Sequence, residues 1–439
     1  MTPRISALLN SIIFLMLITV SAEGQVNQTP QVDRQYIKEM EGLAKLPFVN
    51  DAMVAISEME QKTREDLIIL TEIPAPPFKE EERAKMWSKM LLETGMDTVW
   101  IDEVGNAIGK RKGTKGDRSV LIEAHLDTVF PEGTDVTVKE RGDTLFAPGI
   151  VDDTRGLAVV LAIARAINKA GIQTEADLLF VGVVGEEGQG DLRGVKHLFG
   201  DKGQKIDAYI AIEGGGPDRV TFQGIGSHRY RVTFKGPGGH SFGAYGLANP
   251  HNALGRAIHY FAVDADEYTK KGIKTTYNVG VIGGGTSINS IPFESWMEVD
   301  MRSESPERVE GIDRMFQEAV NRALNEENKM KRIGEDLTVD IEMIGNRPAG
   351  SIDPSTPLVQ RAMASSMYFD VKPRIIVGST NANIPFSLGI PAVTIGSGGK
   401  SGGAHSLDEW WVSDKGSIPA IQRALLLLLA EAGLKTGAN

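Results

Sequence analysis

Residues 119–131 read SVLIEAHLDTVFP, an apolar run that stops on His125-Leu126-Asp127. A run so continuously apolar makes a strand buried on both faces, so the polar pair must leave from its end. The arrangement recurs along the chain. ADLLFVGVVGEE (176–187) ends on Glu186-Glu187, DAYIAIEGGG (207–216) carries Glu213, and PAVTIG (391–396) runs into SGGAHSLDEW (401–410) with His405. Between the first two lies APGIVDDTRG (147–156), with Asp152-Asp153 ahead of an amphipathic stretch over 156–170. Apolar strands alternating with helices predict an α/β fold, a mostly parallel sheet flanked by helices. Side chains leaving strand ends in such a sheet converge on one edge, where ligands bind.

From about 227 to 344 the pattern changes. HRYRVTFKG, a helix from Pro250 to Val263, TTYNVGVIGG, SWMEVDMRS, a helix from Pro306 to Asn328 and LTVDIEMIG give the order β-α-β-β-α-β. That is the split βαβ pattern of a ferredoxin-like unit. The α/β pattern then resumes with PRIIVGS, PAVTIG and a terminal helix. The expected organisation is 1–22, 23–226, 227–344 as an inserted domain, and 345–439 completing the first domain.

The chain has 439 residues, 47 basic and 58 acidic, a net charge of -11, and no cysteine. An acidic balance without a Lys/Arg-rich run argues against nucleic acid. Without cysteine there are no disulfides, no thiolate ligands and no cysteine nucleophile, so any metal site must use His and carboxylate. At the N-terminus Arg4 precedes an apolar run, Ile12 to Val20, followed by Ser21-Ala22. A run of about nine residues is too short to span a bilayer and fits a signal peptide. Cleavage after Ala22 and an exported protein, periplasmic or extracellular and without a stable membrane anchor, are expected.

Two histidines and several carboxylates at one sheet edge are what a pair of divalent cations needs. If His125, Asp152 and Glu213 hold one and Asp152, Glu187 and His405 the other, Asp152 bridges. Each ion then has three protein ligands and an open position for water. Three ligand carboxylates and a hydroxide offset two divalent charges, so the cluster can be buried near neutrality. Glu186, beside a ligand but free of the ions, suits a general base. Asp127 suits a partner that fixes the His125 tautomer.

These motifs, in this order, resemble the series found in di-zinc co-catalytic amidohydrolases and exopeptidases. That family includes peptidase T, glutamate carboxypeptidase, aminoacylase and succinyl-diaminopimelate desuccinylase. The resemblance spans nearly the whole mature chain, with peptidase T-like phrasing in the last third. It implies the ligand roles above, a cis peptide at Asp152–Asp153, and two divalent metal ions, zinc first, with cobalt or manganese as alternatives. It further implies that His240, in GPGGHSFGA (236–244), lies in a lid segment that reaches a partner subunit's site and stabilises an oxyanion. Asn289 in GGTSINSIP and Arg302 in VDMRS are implied as substrate-binding residues, Arg302 gripping a carboxylate bidentately. A homodimer through the lid domain follows from the same likeness. One departure is GSTNANIPFSLGIP (378–391), where Asn381 stands in place of an Asp common in peptidase T-like members.

The expected activity is hydrolysis of amide bonds in short peptides by an exopeptidase, the alternative being N-acyl amino acid deacylation by the same machinery. More distant readings are a catalytically inactive binding protein or a serine hydrolase. The latter rests on G-x-S-x-G at Gly239–Gly243 and Gly399–Gly403, a match that 49 glycines make cheap.

Overall fold

The computed structural model describes residues 24–25 and 30–435; the expected signal peptide over 1–22 lies outside them. Four helices between Arg34 and Leu92 precede the central sheet. In chain order that sheet takes β1 (Thr98–Ile101), β2 (Ala107–Arg111), β3 (Ser119–His125), β4 (Asp177–Val183), β5 (Ala208–Glu213) and β6 (Arg219–Thr221). The chain then builds a second sheet from β7 (Gly226–Lys235), β8 (Thr275–Gly284), β9 (Glu294–Ser303) and β10 (Thr338–Arg347). It returns to the first with β11 (Arg374–Val377) and β12 (Ala392–Gly396).

The order across the first sheet is β11-β6-β12-β5-β3-β4-β2-β1, with Gly24–Gln25 outside β11. Its centre, β12-β5-β3-β4, is parallel, and β2 and β1 close one edge antiparallel. Every residue of β3, β4 and β5 is buried. Each large aliphatic side chain so buried contributes about 1.5–3 kcal/mol, which is why these runs stay apolar until the strand ends. The helix Arg155–Lys169, covering this layer, is itself buried nearly all round. Gly156 leaves room in its first turn for the Asp153 carboxylate, which a Cβ there would approach to 2.4 Å.

The inserted unit is antiparallel, in the order β8-β9-β7-β10, with Pro250–Thr269 and Pro306–Met330 packed against it. Its core gathers Val232, Phe234, Phe261, Met297 and Phe316. The first of these helices runs six residues beyond the expected end at Val263, still burying Ala265.

A third, small sheet was not legible in the sequence. It pairs Lys400–Gly402, Trp410–Val412, Thr144–Phe146 and Lys139–Arg141. Strands of three residues are too short to show a period. Leu145 and Trp411 sink its inner face into a separate core cluster. Its turns matter more than its size: one bears His405, and the chain leaving Phe146 leads directly to Asp152.

Candidate metal centre

His125 is the last residue of β3 and Glu213 the last of β5, neighbours in the sheet. Glu186 and Glu187 follow β4 by a short turn. Gly185 opens that turn at φ +70°, where any Cβ would collide with the Arg193 side chain. Asp152 sits just before the helix Arg155–Lys169, and the Asp152–Asp153 peptide bond is cis. His405 arrives from the small sheet with φ 63°, a left-handed conformation uncommon outside glycine.

Asp152 stands at the centre of the group. Its Oδ1 lies 2.8 Å from His125 Nε2 and its Oδ2 3.2 Å from His405 Nε2. His405 Nε2 is also 3.1 Å from Glu187 Oε1. Ligand atoms of His125, Asp152 and Glu187 all fall within 4.8 Å of one another. One carboxylate therefore faces two imidazoles through different oxygens, an arrangement that would suit a ligand shared between two cations. The other His125 nitrogen, Nδ1, lies 3.0 Å from the Asp127 carbonyl oxygen. A proton on Nδ1 donated there leaves Nε2 as the electron-pair donor.

Asp127 acts less on His125 than expected. Its carboxylate Oδ1 is 3.6 Å from Nδ1, while its two oxygens accept hydrogen bonds from the backbone N–H groups of Glu186 (2.9 Å) and Glu187 (2.7 Å). It thus ties the β3 end to the β4 turn. Asp153 makes a similar tie, accepting from His125 N at 3.1 Å and Gly156 N at 3.2 Å.

The electrostatics describe a donor set suited to cations. Burial, then the Asp152 charge, pushes the Glu213 carboxyl well above the usual carboxylate range. Burial, aided by Asp152 and Glu186, pushes Glu187 up to about 7 although His405 acts against it. Hydrogen bonds to Asp152 and Glu187 push His405 up to about 10. Asp152 goes the other way: despite its burial, hydrogen bonds to His125 and His405 hold it well below the usual carboxylate range. Carboxylates crowded with imidazoles in this way are a donor set that fits divalent cations.

The lid residues are placed differently. Among the described residues the exposed His240 side chain is hydrogen-bonded only within its own turn: its Nδ1 accepts from Phe242 N and Gly243 N, both at 3.3 Å. The short strand Gly239–His240 pairs with Ser290–Ile291, bringing Asn289 alongside; Asn289 Oδ1 accepts from Ser287 Oγ at 2.5 Å. Arg302 closes on its neighbour, Nε donating to Asp300 Oδ2 at 2.7 Å, and keeps its outer guanidinium partly exposed. Among the described residues no hydrogen bond or ion pair joins these three to the metal cradle. The two G-x-S-x-G serines, Ser241 and Ser401, lie in a turn and in a short antiparallel strand, and among the described residues neither is hydrogen-bonded to a histidine side chain.

Three residues at the site went unassigned in the sequence. Glu409, four residues after His405, is fully buried and accepts from the N–H groups of Gly149 (3.1 Å), Val151 (2.7 Å) and Asp152 (3.1 Å). Its place in SLDEW beside a ligand was the available signal. Arg347, at the end of β10, meets Glu186 with Nη1 at 3.0 Å from Oε1. Glu123, buried beneath the site, accepts from Asn381 Nδ2 at 3.1 Å. That contact accounts for the departure at 381: an Asp would set two buried carboxyls against each other, whereas Asn donates.

Comparison with known proteins gives the family and the fold. The model described as Peptidase family M20/M25/M40 matches residues 121–431, well over half of the chain. A Pyrococcus abyssi protein named as a LysW-lysine/LysW-ornithine hydrolase is 36% identical over 119 residues, 27% of this chain. The match spans only 32% of that relative's own length. The fold is similar to a tripeptidase from Staphylococcus aureus, at 21% identity and a TM-score of 0.69, over 85% of this chain and 99% of that one. It is also similar to the di-peptidase Dug1p from Saccharomyces cerevisiae, at 15% identity and a TM-score of 0.67, over 88% and 98%.

Proposed function

The chain belongs to peptidase family M20/M25/M40, and on that premise we propose that it is a di-metal exopeptidase acting on short peptides. The observation that carries the reading is the Asp152 carboxylate shared between two imidazoles, with Glu186 beside the cradle. His125, Asp152 and Glu213 would hold one cation, and Asp152, Glu187 and His405 the other, zinc by preference. Bound there, such cations lower the pKa of water from about 15.7 towards about 7 and polarise the scissile carbonyl.

The chain's own residues do the rest. Glu186 takes a proton from the attacking water and delivers it to the leaving amine. Asp127 holds the backbone of both glutamates so that Glu186 and Glu187 keep their separate tasks. His240 donates to the oxyanion that forms on the carbonyl oxygen, and Arg302, with Asn289, binds the substrate's carboxylate end. Among the described residues Arg302 pairs with Asp300 through Nε, which leaves both Nη groups for that task.

On this reading His240 serves the site of a second copy of the chain, and features of the lid support such a dimer. Among the described residues β8 is an edge strand with one neighbour; Ile282 on it is exposed, as are Ile288 in the turn that follows and Phe242 two residues after His240, Ile288 completely. An unpaired edge with apolar side chains invites a second copy. Export follows from the N-terminal apolar run, with cleavage after Ala22.

The test is a panel of di- and tripeptides and N-acyl amino acids, assayed after chelation and again with zinc, cobalt or manganese. Peptide hydrolysis lost on chelation and restored by metal is the expected result. Turnover of acyl amino acids alone would replace the peptidase reading with deacylation. Glu186→Ala should lower kcat by at least about 100-fold while bound metal stays unchanged; retained activity would remove Glu186 as the base.

A further inference from the structure

The Glu186 carboxylate is not held by its own turn. Among the described residues its one hydrogen-bonding partner is Arg347, which belongs to the strand by which the chain leaves the lid. Arg347 Nη1 lies 3.0 Å from Glu186 Oε1 and 3.2 Å from Ser379 Oγ, and Nη2 donates to the Glu186 backbone carbonyl. The Arg347 side chain is buried, with 5% of its surface exposed.

The same turn is gripped at two more points from the lid. Asn346 N donates to Asp191 Oδ1 at 2.9 Å, and Arg229 of β7 donates to the Gly188 carbonyl at 3.2 Å. Arg229 is fixed in turn by Asp300, the residue that also holds Arg302. Both strands that connect the lid to the rest of the chain thus end on the segment 186–191, and Ser227 and Arg347 are paired across them.

We propose that Arg347 is the positioning residue for Glu186, so that the base is aligned by the lid strand rather than by its own turn. The inference rests on the reading of Glu186 as the base. An interdomain staple is the simpler use of such a pair, but a poor one. Buried ion pairs add little net stability, because desolvation offsets the attraction. This one leaves Arg347 Nε buried without a partner, a further cost. What the pair does achieve is geometric: a planar fork clamps the carboxylate and the carbonyl of one residue together, which fixes where the carboxylate points.

The experiment uses the full chain reconstituted with zinc, comparing wild type, Arg347→Gln, Arg347→Lys, Glu186→Asp and the Arg347→Gln/Glu186→Asp double variant. Arg347→Gln should lower kcat about 100-fold, the effect of a misplacement near 1 Å, with KM within about threefold and metal content unchanged. Lysine, which restores the charge but not the fork, should recover about tenfold of that loss. In the Glu186→Asp background the same Arg347→Gln change should cost less than about threefold, because residues that act through each other are not additive. Equal losses in both backgrounds, or an unchanged kcat in Arg347→Gln, would overturn the proposal.

A second arm needs no activity. In the metal-free protein, Arg347→Gln should lower Tm in the native background and not in Glu186→Gln. Equal shifts would show that Arg347 does not act on Glu186. Wild-type protein that hydrolyses nothing on the panel would sink the peptidase reading instead, and the melting comparison would still decide the pairing.

Discussion

The cradle and the lid treat their polar residues in opposite ways. At the cradle, Asp127, Asp153 and Glu409 are fully buried and each carboxylate accepts two or more backbone hydrogen bonds. In the lid, His240 is exposed and bonded to its own turn, and Arg302 is partly exposed with a neighbour two residues away. The first set is preorganised by folding. On the proposed reading the second is left for substrate, and for a second copy of the chain, to organise. A residue that folding holds in place should therefore betray itself in stability and metal retention when removed, and an exposed lid residue such as His240 in turnover alone.

Glu409→Ala tests the comparison hardest. It strands three backbone N–H donors at the segment bearing Asp152, at about 1–3 kcal/mol for each left unsatisfied. Urea unfolding should show a loss of at least about 3 kcal/mol, with less metal retained on dialysis. Asp127→Asn is gentler, since one oxygen still accepts while the new NH2 group faces an N–H. Its expected cost is about 1–3 kcal/mol, with metal affinity lowered about 10- to 100-fold in competition with a chelator. His240→Ala should sit at the far end, within about 0.5 kcal/mol of wild type in stability. Metal content should be unchanged there and kcat lowered about 100-fold or more, as for loss of an oxyanion donor. A clear stability loss at His240, or none at Glu409, would erase the distinction between the two regions.

The contrast also explains what could be read in advance. The apolar runs ending on His125, Glu187 and Glu213 announced a buried sheet and its functional edge, because burial forces polarity to the strand ends. The β-α-β-β-α-β order announced the inserted unit, whose strands and helices are long enough to show their periods. The partners of the ligands were not announced. Glu409 meets Gly149–Asp152 across some 260 positions, and Arg347 meets Glu186 across 161. Nothing in GNRPAG marks its arginine as different from any other strand-end cation. The partner of Asn381 was equally hidden, since Glu123 reads as a stray acid in an apolar strand until the two are seen 3.1 Å apart.

What the amino-acid sequence determined by itself is the inventory and its address: which His and carboxylate groups exist, and that periodicity sends them to one edge of one sheet. Only the tertiary structure decided how each is held. It turned the two oxygens of Asp152 to different imidazoles, gave the carboxylate of Asp127 to the glutamate backbone rather than to His125, and handed Glu186 to a strand of the lid. The reason is physical: periodicity depends on local spacing along one chain segment, whereas hydrogen-bond satisfaction of a buried charge is set by whichever distant segment packs within about 3 Å of it.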